Sequence, residues 1–377
     1  MLVDGIWEVK MNKKPCKRSI STFKVAATYI GTVVGAGFAS GQEILQFFSI
    51  FGLNGFFGLL IVSMLFVIFG YIIMNLGCEL KSTSYLSIIK KAGGKYLGTI
   101  IDYMITFFLF GSVTAMIAGS GAIFKQQFDI PAVWGNLVMA FLTTITVLTG
   151  IGGVINSISF VVPFLMIAAL GVSICSSIFI PPNYCNECNT FGNGLIRNWL
   201  WAAMLYASYN IILSAAVLGP LGNNARDKKI IKNGSILGGI GLGLGAAAIY
   251  FTLVRNLPNI IFIEVPMAFI AGRISYPIEI MYIIVLLAEI YTTAVGSLYG
   301  FSARIAQVNS SDKHYNRLHN KIITIFTAIL AFITSKFGFS NLVSYLYPVM
   351  GYGGFILLIC LLYYFIKHKA YKFKKYK

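Results

Sequence analysis

Two glutamates stand inside stretches that are otherwise apolar: Glu43 in GTVVGAGFASGQEI and Glu289 in LLAEIYTTAVGSLYG. Glu289 falls near the middle of a segment long enough to cross a bilayer. A charged carboxylate there costs roughly 2.5–3.5 kcal/mol on insertion scales, so it must face a cavity, pair, bind a cation or carry a proton. No Lys or Arg falls at a comparable depth, which disfavours a simple ion pair. Glutamate in such a place is therefore read as titratable or cation-binding, against the plainer reading of a neutral structural acid. Glu43 has a local explanation. It ends Ser40-Gly41-Gln42-Glu43, the S-x-x-E capping box that marks a helix start. Direct involvement of Glu43 in coupling stays open beside that reading.

The box matters because of what precedes it. Gly31, Gly35, Gly37 and Gly41 crowd the middle of KVAATYIGTVVGAGFASGQEILQFF. Each glycine in a helix interior costs about 1 kcal/mol relative to alanine. Backbone groups freed in lipid must find partners. The glycines are either a close-packing face or an unwound stretch. A capping box inside the same segment favours the second, with a new helix starting near Gly41 and residues 31–39 partly non-helical. A second candidate break is Tyr206-Ala207-Ser208-Tyr209-Asn210, where Ser and Asn compete for backbone hydrogen bonds. Its alternative is a polar stripe facing other helices. An interrupted helix offers carbonyls to cations at one pole and N–H groups to anions at the other. Thr32, Gly35, Ala36, Gly37 and Phe38, with Tyr206, Ala207, Ser208, Tyr209 and Asn210, form the candidate solute-binding set. The amides of residues 36–38 would meet a carboxylate. Carbonyls of 31–34 and 206–208 would meet an amine or metal cation, and the two tyrosines would wall the pocket.

The elements that position these residues follow from composition. The chain of 377 residues is 57% hydrophobic and only 11% charged, about half the charge of an ordinary soluble domain. Ten apolar segments, near 23–50, 54–78, 98–124, 132–150, 154–180, 197–220, 230–255, 276–303, 318–338 and 340–366, each approach the roughly 20 residues that span a bilayer as helix. The expectation is an all-α membrane protein of about ten crossings. A tail of residues 1–22 precedes the transmembrane domain of 23–366, and a basic tail of 367–377 follows it. Of the 29 Lys and Arg, 24 fall on one side of this map and alternate with every crossing. The positive-inside rule then puts both termini in the cytoplasm of a cell membrane. The net charge of +17 is thereby assigned to topology, and nucleic acid is not expected as a partner. No cleavable leader is expected in 1–22.

Other features carry less. Cys185 and Cys188 form a C-x-x-C in an outer loop, a local disulfide or two free thiols, and no histidine is placed to complete a zinc site. Segment seven, GSILGGIGLGLGAAA, reads as a small-residue packing face. The stretch SYLSIIKKAGGKYLG reads as an interfacial helix, and Pro348 as a kink. Asp102 reads as ordinary and near an interface. Arg273 reads as part of a plain outer loop, with an extracellular lid as the alternative. No G-x-x-x-x-G-K-[ST] phosphate loop or paired carboxylates close in sequence point to nucleotide-driven transport or an enzyme.

The run GTVVGAGFASGQEI after a basic N-terminus, with YASYN and the ten-segment layout, resembles the YkvI-type membrane proteins. These are a bacterial family within the amino acid–polyamine–organocation transporter superfamily. The resemblance covers most of the chain from about Lys17. It implies a LeuT-type fold, a 5+5 inverted repeat with discontinuous helices 1 and 6 flanking a midplane site. It also implies secondary transport of a small amino-acid-like or amine solute, with Na+ or H+ as coupling ion and no other cofactor. The alternative is a ligand sensor of the same fold, as in germinant-receptor subunits. Sodium-coupled members use adjacent hydroxyls on helix eight with two carbonyls of the first broken helix. Thr292 and Thr293 resemble that pair, with Gly31 and Val34 as carbonyl donors, although adjacent threonines also bond their own helix. The lysine that proton-coupled members carry on helix five is not found in segment five.

Overall fold

The computed structural model describes residues 20–82, 85–149, 151–183, 195–225, 227–309 and 313–375. Cys185 and Cys188 and most of the N-terminal tail lie outside them. The described chain is helical. Helix α1 (Thr22–Val33), the single turn α2 (Ala36–Ala39) and α3 (Gln42–Phe47) fill the first apolar segment. Helix α4 spans Leu53–Glu79, and α5 spans Tyr85–Phe128 with a non-helical Gly94 at φ 68°. The piece before Gly94 begins the stretch read as an interfacial helix, and it is set off from the rest of α5 by the residue that adopts positive φ at least cost. Then come α6 (Ala132–Thr149), α7 (Ile151–Phe179), α8 (Trp199–Ala225) and α9 (Lys228–Val254). Two short helices, α10 (Leu257–Ile260) and α11 (Pro266–Ile274), precede α12 (Tyr276–Asn309) and α13 (Lys313–Thr334). The last segment is α14 (Phe339–Asn341), a π-helical turn at Leu342–Leu346, and α15 (Tyr347–Lys375). A π-helical turn thus stands just before Pro348, where a kink is expected. Helix α15 continues through the basic tail.

Seven of these helices are long and apolar enough to cross a membrane by length and composition among the described residues. The first segment is missing from that number because it is broken. Large apolar side chains such as Met64, Phe141, Ile174 and Ile329 point outward, as a lipid-facing surface requires.

The helices form two groups. Helices α1, α4, α8 and α9 pack on one another, and so do α5, α6, α12 and α13. Helix α7 bridges from α1 and α9 to α12, while α15 bridges from α8 and α4 to α5. The most enclosed is α8, with 78% of its apolar window buried against 33% for α6, so α8 is the central staff of the first group. Segment seven packs as expected: β-carbons added at Gly234 and Gly238 of α9 would run into Val25 and Tyr29 of α1, and one at Gly239 into Val67 of α4.

One expectation fails. Segment six is a continuous helix from Trp199 to Ala225, not a discontinuous one. The polar residues meant to mark a break are satisfied without it. Ser208 Oγ lies 2.9 Å from the Leu205 carbonyl and 2.6 Å from that of Gly351 of α15 and shares its one hydrogen between them, and Asn210 Nδ2 donates to the Tyr206 carbonyl at 3.0 Å. Side chains that bond their own preceding turn remove the reason to unwind it.

Candidate functional site

The break in the first segment is real and short. Val34 N–H is the last to donate into α1, to Ile30 at 2.9 Å, and Ala39 N–H is the next rung, to Gly35 at 2.9 Å. The carbonyls of residues 31–34 and the amides of 35–38 therefore stand outside the i→i−4 ladder. Val34 and Gly35 are extended, with ψ 118° and −174°, and only these two residues separate α1 from α2. The non-helical stretch is thus narrower than residues 31–39. A second pivot follows at Gly41, whose φ of 81° lies in the left-handed region that favours glycine.

Beside the break lies a cavity of about 360 Å³. Gly31, Thr32, Val34 and Gly35 line it from the break; Glu43 lines it from α3 and Tyr209 and Asn210 from α8. Glu289, Thr292 and Thr293 line it from α12. Ten of the residues singled out from sequence thus meet around one space. Six do not reach it. Ala36 and Phe38 are buried in the core, and Gly37 is backed by the Glu43 side chain rather than by the cavity. Tyr206 and Ala207 are fully buried within the bundle. Tyr206 is part of an aromatic cluster, edge-on to Tyr209 at 5.4 Å and to Phe48 at 5.0 Å. Ser208 ties α8 to α15 and does not line the cavity.

The capping box also needs correction. Helix α3 starts at Gln42, but its N-cap is Gly41, one residue later than the pattern requires. Ser40 N–H is already bonded to Ala36 at 2.7 Å, so nothing is left for Glu43 to cap. The Glu43 carboxylate turns instead to α8 and accepts the hydroxyl hydrogen of Tyr209. Glu289 is 2% exposed. Its Oε1 accepts from Thr293 Oγ1 at 3.3 Å, and its Oε2 is buried with no hydrogen-bond partner among the described residues. Thr292 Oγ1 donates to the Glu289 carbonyl at 3.1 Å, so both hydroxyls bond within their own helix while facing the cavity. Thr293 also lies against the break, its Cγ2 3.9 Å from the β-carbon position of Gly35.

The two ends of the cavity differ. Towards the face where α1 begins, its wall includes Tyr85 and Leu86 of α5, Val217 of α8 and Arg304 of α12. Arg304 is paired with Asp102, its Nε 2.9 Å from Oδ1, and Tyr85 donates to the same carboxylate at 3.2 Å. Towards the opposite face, α2 and α3 are sealed in. Met267 N–H donates to the Ser40 carbonyl at 3.0 Å, Tyr282 donates to the Ala39 carbonyl, and Gln42 donates to Ser340 at 2.7 Å. Arg273, expected in a plain loop, sits on α11 and donates to Asn256 at 3.0 Å. The Asp102–Arg304–Tyr85 cluster was missed in sequence because its two charged members are 202 positions apart. Asp102 is 4% exposed and not an ordinary interfacial acid. The Ser112–Ser297 contact at 2.9 Å and the ring of Tyr347 also carried no sequence signal.

A helical membrane protein with a broken first crossing and a cavity beside the break has the architecture of LeuT-type transporters, and solved structures agree. The chain matches the inward-facing conformation of Mhp1 with TM-score 0.58 at 12% identity, over 84% of this chain and 70% of that one. It matches a substrate-bound outward-open Na+-coupled sialic acid symporter with TM-score 0.59 at 12% identity, over 91% and 79%. A manganese transporter of Eremococcus coleocola gives 0.52 at 15% identity, over 87% and 76%. No family model matches the chain. Among curated proteins, the membrane protein YkvI of Bacillus subtilis (strain 168) is 32% identical over 335 residues, 88% of this chain and 92% of YkvI. YyaD of the same organism is 29% identical over 341 residues, 90% and 96%. The chain belongs to the YkvI family.

Proposed function

We propose that this protein is a secondary transporter of a small amino-acid-like or amine solute, coupled to Na+ or H+, with ten crossings in a 5+5 inverted repeat. The observation that carries this reading is the two-residue break in the first crossing, opening on a closed-ended cavity that holds two carboxylates. Packing supports the repeat. With α1–α3 taken as one crossing, advancing each crossing by five turns the α1–α9 contact into α8–α4, α5–α6 into α12–α13, and α7–α12 into α15–α5, all of which occur. The breaks are not symmetric, since α8 is continuous. If the termini lie in the cytoplasm, the end of the cavity lined by Tyr85 and Arg304 is the cytoplasmic one and the end covered by α2 and α3 is the outer one.

Oxygen atoms are the natural ligands of a hard cation. The carbonyls of Gly31 and Val34 with the hydroxyls of Thr292 and Thr293 are the candidate Na+ set, and all four residues line the same cavity. Both hydroxyls would have to leave their present bonds to Glu289 or accept the ion through their lone pairs. Coupling through H+ would instead use Glu289, with Glu43 as the second carboxylate.

The test is uptake into proteoliposomes across a library of amino acids and amines, with Na+ or pH gradients. Gradient-driven flux is expected. Folded protein stabilised by a ligand but giving no flux would make it a sensor. Where uptake depends on sodium, Thr292→Ala with Thr293→Ala should reduce the stimulation at least about tenfold, a loss of roughly 1.4 kcal/mol in ion binding. Sodium stimulation unchanged in the double variant would remove the ion assignment.

A further inference from the structure

We infer that the solute is a net cation, a small amine without a carboxylate, whose ammonium lies against Glu289 Oε2 and the freed carbonyls of the break. The inference rests on the transport reading above and narrows it. A zwitterion needs an acceptor pole and a donor pole in one space. The break makes both, but the cavity receives only the first. Gly31, Thr32, Val33 and Val34, which carry the free carbonyls, all line the cavity. Of the four free amides only that of Gly35 belongs to a lining residue; Ala36, Gly37 and Phe38 are buried away from it.

The side-chain donors around the cavity point the same way, because most are already engaged. Thr292 and Thr293 donate to Glu289, and Tyr209 donates to Glu43. Thr32 donates to the Tyr29 carbonyl at 2.8 Å, and Ser112 and Ser297 share one hydrogen bond. Tyr85 gives its hydroxyl hydrogen to Asp102, and Arg304 directs its Nε and one Nη2 hydrogen to the same carboxylate. Among the described lining residues Arg304 is the one cationic side chain, and Asp102 pairs with it, so no cation faces Glu43 or Glu289. A solute carboxylate would meet these two carboxyl groups with few donors to receive it.

An ammonium meets the opposite situation. Glu289 Oε2 is buried without a hydrogen-bond partner among the described residues, and a buried polar group left unsatisfied is costly. The ammonium would supply the missing donor. Tyr209 and Tyr347, with ring centroids 5.1 Å apart, add π faces that favour an organic cation. Among the described residues no three His, Cys, Asp or Glu side chains gather, so the site is not built as a multidentate metal cage. A single ammonium with an apolar body matches a lining that mixes these acceptors with Leu109, Met116 and Leu213.

The test compares amino acids with the amines left when their carboxyl group is removed. Purified full-length protein is titrated calorimetrically with valine and isobutylamine, lysine and 1,5-diaminopentane, tyrosine and tyramine, each with and without Na+. At least one amine is expected to bind about tenfold or more tightly than its parent, and no parent is expected to bind better than its amine. Glu289→Gln should weaken that amine by about tenfold or more, while Glu289→Asp should retain part of the affinity. An amino acid preferred over its amine overturns the inference, and so does the absence of binding by every amine. Unchanged amine binding by monodisperse Glu289→Gln protein overturns the assignment of the ammonium. Flux separates this inference from the reading beneath it. Transport of the zwitterion sinks the cation assignment alone; amine binding without flux sinks transport alone.

Discussion

Gly37→Leu is expected to abolish solute binding, though not by filling the cavity. A β-carbon at Gly37 would lie 2.7 Å from both Cγ and Cδ of Glu43, well inside van der Waals contact. Glu43 would have to swing away, and the rest of a leucine side chain would take its place. Its carboxylate would lose the Tyr209 hydroxyl, an interaction of about 1.5–3 kcal/mol where one partner is charged. Tyr209 would in turn be left with a buried hydroxyl, and it forms part of the cavity wall. Residues 36–39 form a single turn between the pivots at Gly35 and Gly41, so they have little structure of their own with which to resist. Affinity should fall by about 100-fold or more, a loss of roughly 2.8 kcal/mol, measured by titration of any ligand that stabilises the parent. Parent-like affinity in a folded Gly37→Leu protein would mean that Glu43 and its tyrosine do not shape the site.

The same glutamate shows how far the sequence could be read. The apolar segments were legible because lipid demands about 20 apolar residues per crossing, and the break was legible because four glycines fall within eleven positions. The role of Glu43 was not. S-x-x-E matches a capping box by residue type, but with Gly41 as N-cap the glutamate becomes the second helical residue and faces α8. Ser208 and Asn210 were ambiguous for a related reason. A hydroxyl or amide in a helix either replaces a lost backbone bond or adds to an intact one, and only the fold decides. Pairings such as Arg304 with Asp102 join distant segments, so no local pattern reports them.

Gly222→Ala, and more strongly Gly222→Val, should destabilise the protein by separating α4 from α8. In lipid, helices gain little from hydrophobic burial against one another and hold together by close packing of small residues. A β-carbon at Gly222 would fall 2.6 Å from the carbonyl carbon of Met74 and 2.7 Å from its Cα; one at Gly77 would lie 2.9 Å from the carbonyl carbon of Gly219. The obstacle is backbone on both sides, which cannot rotate aside as a side chain would. Overpacking typically costs about 1–3 kcal/mol, and the rigid obstacle places alanine towards the upper end of that range. Gly171 of α7 provides the comparison, since a β-carbon there has nothing within 4 Å. Gly171→Ala should be neutral or stabilising by up to about 1 kcal/mol through helix propensity. Thermal unfolding of the three purified variants in one detergent, followed by intrinsic fluorescence, should rank Gly171→Ala at or above the parent and both Gly222 variants below it. Equal midpoints for Gly222→Ala and Gly171→Ala would show that α4 and α8 tolerate separation.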